Sequence, residues 1–253
     1  MTSTSKFGPD HVVNMIKKAM PVCLMFPLLG AAISYLAYGD LQPTSAVSWQ
    51  IGVAASIISF ALLVVLYFKY RGTNALVACG VVLLIGVWAI YYFFGIFGYF
   101  YFFLFSSVDA LFRWSGLILG IGLTGWWARV TYGSAHRAVV ATPFVRNAFV
   151  EDDGEVVYSL QGGMRSFDRF CKEKLPFPKF YMYIVYGIAP FGLVLNRILS
   201  MNFGGNAVLV FVAALGMPVS LWAIGVLMRI YVVMVALPIQ IEKERHIRVL
   251  MTA

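Results

Sequence analysis

Glu151, Asp152, Asp153 and Glu155 form the densest group of acids in this sequence. Carboxylates so close together can share a proton or hold a divalent cation, and some membrane phosphotransferases use Asp-rich motifs. Here the acids surround Asp153-Gly154, and the downstream aspartates of such a motif are lacking. The run therefore reads as a solvated turn. Gln161-Gly162-Gly163-Met164-Arg165 offers glycines ahead of a helix, where backbone N–H groups can cradle a phosphate. It lacks the Gly-Lys-Ser/Thr that completes a P-loop. His11, His136 and His246 stand apart from Cys, Asp and Glu at any ligand spacing, so neither metal nor haem ligation is assigned. Cys23, Cys79 and Cys171 show no metal-ligand pattern, and a disulfide framework is not expected. No serine has an intramembrane histidine or lysine to activate it. No catalytic residue, cofactor site or metal site follows from these groups.

Two other constellations suggest binding. Arg197, Asn202 and Asp109 gather at one end of the apolar stretches and define a possible outer polar site, where Arg197 would pair with Asp109 or Asp40, or bind an anion. A snorkelling arginine is the simpler reading. The run Tyr91–Phe105 is dominated by Tyr and Phe, interrupted by Gly95 and Gly98. Tyr91, Phe94, Phe97, Phe100 and Phe103 are the candidate contacts to a partner chain or to lipid. Phenylalanine has no polar handle for the headgroup layer, so an apolar partner explains them better than anchoring does.

The elements that carry these residues are defined by where charge is missing. From Ala19 to Phe68 the only ionisable residue, Cys and Tyr aside, is Asp40. From Gly72 to Ala128 there are only Asp109 and Arg113, and from Phe180 to Ile241 only Arg197 and Arg229. A charge at the bilayer centre is costly, and about 20 apolar residues suffice to cross. With 61% hydrophobic residues in 253, a soluble domain is excluded. The fold class is an all-α membrane protein, a six-helix transmembrane bundle with a small cytoplasmic β-hairpin and helix insertion. The spans read as Pro21–Tyr38, Trp49–Phe68, Ala75–Phe105, Trp114–Tyr132, Phe180–Leu199 and Ala207–Met228. Residues 1–20 form an interfacial helix, 21–132 the first four spans, 133–179 a cytoplasmic segment, 180–237 the last two spans and 238–253 a cytoplasmic tail.

Basic residues orient this arrangement. With both termini cytoplasmic, all of the 19 Lys and Arg except Arg113 and Arg197 fall inside, as the positive-inside rule requires. The net charge of +8 then serves orientation and anionic headgroups rather than nucleic acid. On the fourth span Gly116, Gly120, Gly122 and Gly125 form a small-residue stripe, in which Gly116 and Gly120 let another helix approach closely. In the cytoplasmic segment, Asp153-Gly154 between the β-prone runs Phe144–Val150 and Glu155–Leu160 predicts a hairpin. Met164–Lys174 reads as a short helix. The third span exceeds the bilayer thickness and is free to bend at Gly95 and Gly98, and the last helix is free to run on into the cytoplasm.

The function expected from this pattern is that of a non-catalytic multi-pass subunit of a larger inner-membrane assembly, such as a secretion, transfer or export apparatus. Its partners would be membrane lipids and other membrane subunits, without cofactor or nucleic acid. The alternative is a channel or uncoupled transporter with Ser34, Gln50, Ser56 and Ser59 along its route; a lipid-acting enzyme comes third.

Overall fold

A computed structural model of the protein describes residues 10–36, 47–106, 109–152, 154–159, 162–163, 167, 183 and 205–252. Helix α1 spans His11–Ser34. Asp10 starts it, its carboxylate accepting from the Val13 N–H at 3.1 Å, which satisfies one of the orphan donors of the first turn. Val12, Ile16, Ala19, Cys23, Pro27, Gly30 and Ser34 recur every three or four residues as one buried stripe. That stripe passes Pro21 unbroken, so the expected division at residue 20 into an interfacial helix and a separate span is not seen.

Helix α2, Val47–Tyr70, buries a face of mostly small residues: Ser48, Gly52, Ala55, Ser56, Ser59 and Leu63. A Cβ on Gly52 would stand 2.8 Å from the Ala31 Cβ and 3.0 Å from the Pro27 carbonyl oxygen. Small side chains are what allow two helices to come this close. Helix α3 is continuous over Leu76–Phe105. It begins as Leu76–Tyr91, widens into π-type turns over Tyr92–Phe100 and closes with Tyr101–Phe105. The segment around Gly95 and Gly98 is thus a widening within a helix about 45 Å long at 1.5 Å per residue.

Helix α4 covers Ala110–Ala141 and passes through Gly133, where the sequence suggested a break. Asp109 caps it through Leu111 N–H at 3.0 Å. A short helix α5, Phe144–Ala148, replaces most of the first expected strand, because Phe144 is buried as an anchor. Strands β1, Phe149–Asp152, and β2, Glu155–Ser159, pair antiparallel with Asp152 opposite Glu155. The hairpin therefore closes at Asp153-Gly154, with Gly154 at φ +80°, as the turn chemistry predicted. Helix α6 runs Gly205–Ile230, widens over Tyr231–Ala236 and continues as Leu237–Arg245. His246, at φ +56°, ends it. Strand β3, Val249–Thr252, then pairs parallel with β2. Most of residues 238–252, the expected tail, is therefore helix and sheet, and Val249 and Met251 are buried.

In the bundle α1 packs between α2 and α3, while α6 packs on α3 and α4. One apolar core joins the start of α1, the first turns of α3 and the sheet. A second lies among the aromatic end of α3, α4 and α6. The molecule is mostly helical, and four of its segments, His11–Ser34, Val47–Tyr70, Leu76–Phe105 and Val212–Arg245, are long and apolar enough to cross a membrane. That is the architecture of a multi-pass membrane protein. Among the described residues four such segments are found and α4 is not one of them; of the expected span Phe180–Leu199 all but Tyr183 lies outside the described residues.

Candidate functional site

Several backbone-accepting polar side chains lie at joints between elements. At the joint beneath the sheet, Asp10 accepts a second hydrogen bond from the Gly72 N–H at 2.6 Å, tying α1 to the α2–α3 turn. Asn74 in that turn is buried with φ +49°. Its side-chain carbonyl accepts from His11 N–H at 2.8 Å, and its backbone carbonyl accepts from Met251 N–H at 2.9 Å. Glu242 accepts from Val249 N–H at 3.1 Å. Three distant parts of the chain thus meet in one cap. Sequence reasoning missed Asp10 and Asn74. The signals present were an Asp directly ahead of an apolar periodic run and a Gly-x-Asn turn.

Of the acid group, only the side chains of Glu151 and Glu155 are among the described residues. Glu151 stands on an exposed strand and meets Arg245, also exposed, at 3.4 Å; such a surface pair contributes little. Asp153 lies outside the described residues. No three metal-ligating side chains come together among the described residues. Burial pushes the Tyr158 phenol up to about 12, so this residue stays protonated beneath the sheet.

At the opposite end, Asp109 caps α4, and Arg113 donates from Nη2 to the Ser106 carbonyl at 3.0 Å. Both serve the turn between α3 and α4. Arg197, Asn202 and Asp40, the other members of the suggested polar site, lie outside the described residues. Ser34, Ser56 and Ser59 are buried, whereas Gln50 is exposed.

The aromatic run is a hub for three helices. Phe97 is buried, its ring 3.5 Å from where Gly30 of α1 would carry a Cβ. Phe103 is buried over Gly116, and Tyr99 covers Gly120, both on α4. The Tyr99 hydroxyl donates to the Gly116 carbonyl at 2.9 Å. The Phe94 carbonyl faces Gly216 of α6. The chain itself covers most of Phe97 and Phe103. Tyr91, Phe94 and Phe100 remain half-buried.

The glycine stripe divides in two. Gly116 and Gly120 face inward under the rings. Gly122 and Gly125 are exposed, and among the described residues nothing stands within 4 Å of a Cβ placed on either. Around them α4 presents Ile118, Leu119, Ile121 and Trp126 outward. Comparison with protein-family models, characterised proteins and solved structures returns no match.

Proposed function

We propose that this protein is a non-catalytic, multi-pass subunit of a larger membrane assembly, with its sheet and both chain ends on the cytoplasmic side, and that α4 crosses the membrane and docks a partner helix. The observation that carries this reading is the outward face of α4. In a soluble helix, large apolar side chains face in and small or polar ones face out. In α4 large apolar side chains face out as well as in: Leu119, Ile121 and Trp126 lie outside, while Gly116 and Gly120 lie inside beside Leu117 and Trp127. Large apolar residues toward lipid are ordinary for a membrane helix. Exposed glycines are not, because small residues in membranes collect where helices approach each other. Gly122 and Gly125 provide such a groove. The spending of Asp10, Asp109 and Glu242 on backbone N–H groups supports a structural rather than catalytic use of charge. The basic residues of the sheet end favour the cytoplasm.

The test is copurification in mild detergent from native membranes, with Gly122 and Gly125 both changed to Leu. The wild-type chain should bring another membrane protein with it, and the double variant should insert and fold but elute alone. A wild-type chain that elutes without a protein partner would overturn the reading.

A further inference from the structure

We infer that a single water molecule is held between α4 and α6, by the indole of Trp127 and the hydroxyl of Thr131, beside Gly225. Thr124, Trp127, Thr131 and Ser134 follow one another at intervals of three or four along α4. That spacing turns a stripe of hydrogen-bonding side chains to one side of the helix. Gly225 of α6 lies opposite the middle of the stripe. The outer two members are provided for. Thr124 shares a hydrogen bond with the Tyr91 hydroxyl of α3, and Ser134 is already engaged within the protein. The middle two are not. Trp127 is 4% exposed and Thr131 is fully buried, and neither Trp127 Nε1 nor Thr131 Oγ1 has a hydrogen-bond partner among the described residues. A buried donor or acceptor left alone costs its full desolvation. Folded proteins therefore pair nearly all such groups, with an ordered water where no side chain reaches.

The two atoms frame one spot. A Cβ on Gly225 would meet Trp127 Nε1 at 3.3 Å and Thr131 Oγ1 at 3.8 Å. Three features select the occupant. An indole nitrogen only donates, whereas a hydroxyl donates or accepts, so the occupant must accept from Trp127 and bond Thr131 in either sense. Neither side chain carries a charge to balance that of an ion. Glycine leaves room there for one small group, not for a headgroup or a second side chain. Water has this size and both capacities. The inference concerns the inner face of α4 and does not rest on the assembly reading, which concerns the outer one.

The test is nuclear magnetic resonance on the full chain in detergent micelles, with its tryptophans isotope-labelled and the Trp127 indole assigned through its bonds to the backbone. In the wild-type protein the Trp127 N–H should show a through-space cross-peak to a water proton, of dipolar rather than exchange sign. Gly225→Ala puts a methyl in the spot. It should abolish this cross-peak and move the N–H resonance upfield, the direction of a lost hydrogen bond. Thr131→Val removes the hydroxyl and should weaken or abolish the cross-peak, whereas Thr131→Ser should keep it. A wild-type Trp127 N–H without contact to water would overturn the inference with no variant needed. So would a cross-peak that persists unchanged in Gly225→Ala or in Thr131→Val.

Discussion

A Cβ on Gly80 of α3 would stand 2.7 Å from the backbone carbonyl oxygen of Met234 on α6. The contact has a counterpart at the other end of the same helix pair, where a Cβ on Gly216 of α6 would meet the Phe94 carbonyl oxygen of α3 at 2.9 Å. In both cases the carbonyl belongs to the widened turns of one helix and the glycine to the regular turns of the other. The two helices touch backbone to backbone at two levels. Gly80→Val and Gly216→Val should each lower the thermal transition of the detergent-solubilised protein, at a cost of about 1–3 kcal/mol for overpacking. Gly86→Ala is the control, since among the described residues its new methyl would meet only Ala19, at 3.8 Å.

Asp10 uses both carboxylate oxygens, one on Val13 N–H and one on Gly72 N–H. Asp10→Ala should cost about 1–2 kcal/mol. Asp10→Asn keeps one acceptor oxygen and should cost less. Hydrogen exchange at the 70–75 turn is the direct readout: faster exchange there in Asp10→Ala, with the opposite end of the bundle unchanged, is the expected result.

The two halves of the glycine stripe should respond oppositely. Gly116→Val collides with the Phe103 ring and should destabilise the isolated chain, whereas Gly122→Val meets nothing among the described residues. Thermal transitions of the two purified variants, compared with wild type, check this. Equal loss in both would mean that the outward face is covered within the chain.

Tyr158 gives the cap an alkaline limit. Its phenol rises from the ordinary value of 10.0 to about 12 in the folded protein. The unfolded chain therefore loses this proton first, and stability falls as pH climbs from 10 towards 12. Below pH 10 the residue is neutral in both states and contributes no slope. Tyr158→Phe should flatten the alkaline decline, as followed by thermal transitions between pH 9 and 12, without changing the transition at neutral pH by the same mechanism.

The cap places Thr73, Glu151 and Arg248 at one end of the bundle, with α3 running from there to the α3–α4 turn at Asp109. Single cysteines at the first three positions, in a background with the native cysteines replaced, should react with a membrane-impermeant reagent from the same side. A cysteine at Asp109 should react from the other. Mixed sidedness among the first three would refute the cap.

Much of the helical architecture was legible because charge is excluded from apolar spans, and the hairpin because Asp-Gly needs a particular turn. The rest was hidden for physical reasons. β3 is only four residues long and pairs with a strand far away in the chain, so no local pattern announces it. Gly133 looked like a stop, yet a helix with neighbours on one side carries a glycine through. The split of the α4 glycines was in principle readable: at 100° per residue, Gly116 and Gly120 share one face, and Gly125 lies opposite. The burial of Phe97 and Phe103 was not, because the widened turns of α3 rotate its rings away from the positions that regular spacing gives.

The parallel pairing of β2 with β3 also imposes an order on biosynthesis. β2 leaves the ribosome well before α6, and its neighbour arrives only after α6 has been made and inserted. Until then Val156 and Tyr158 lack one of their covering strands, and the Asn74 carbonyl waits for Met251 N–H. The cap is therefore a latch that shuts last, and a chain stopped before Val249 would reach the membrane with its helices in place and the sheet end of its bundle open to proteases.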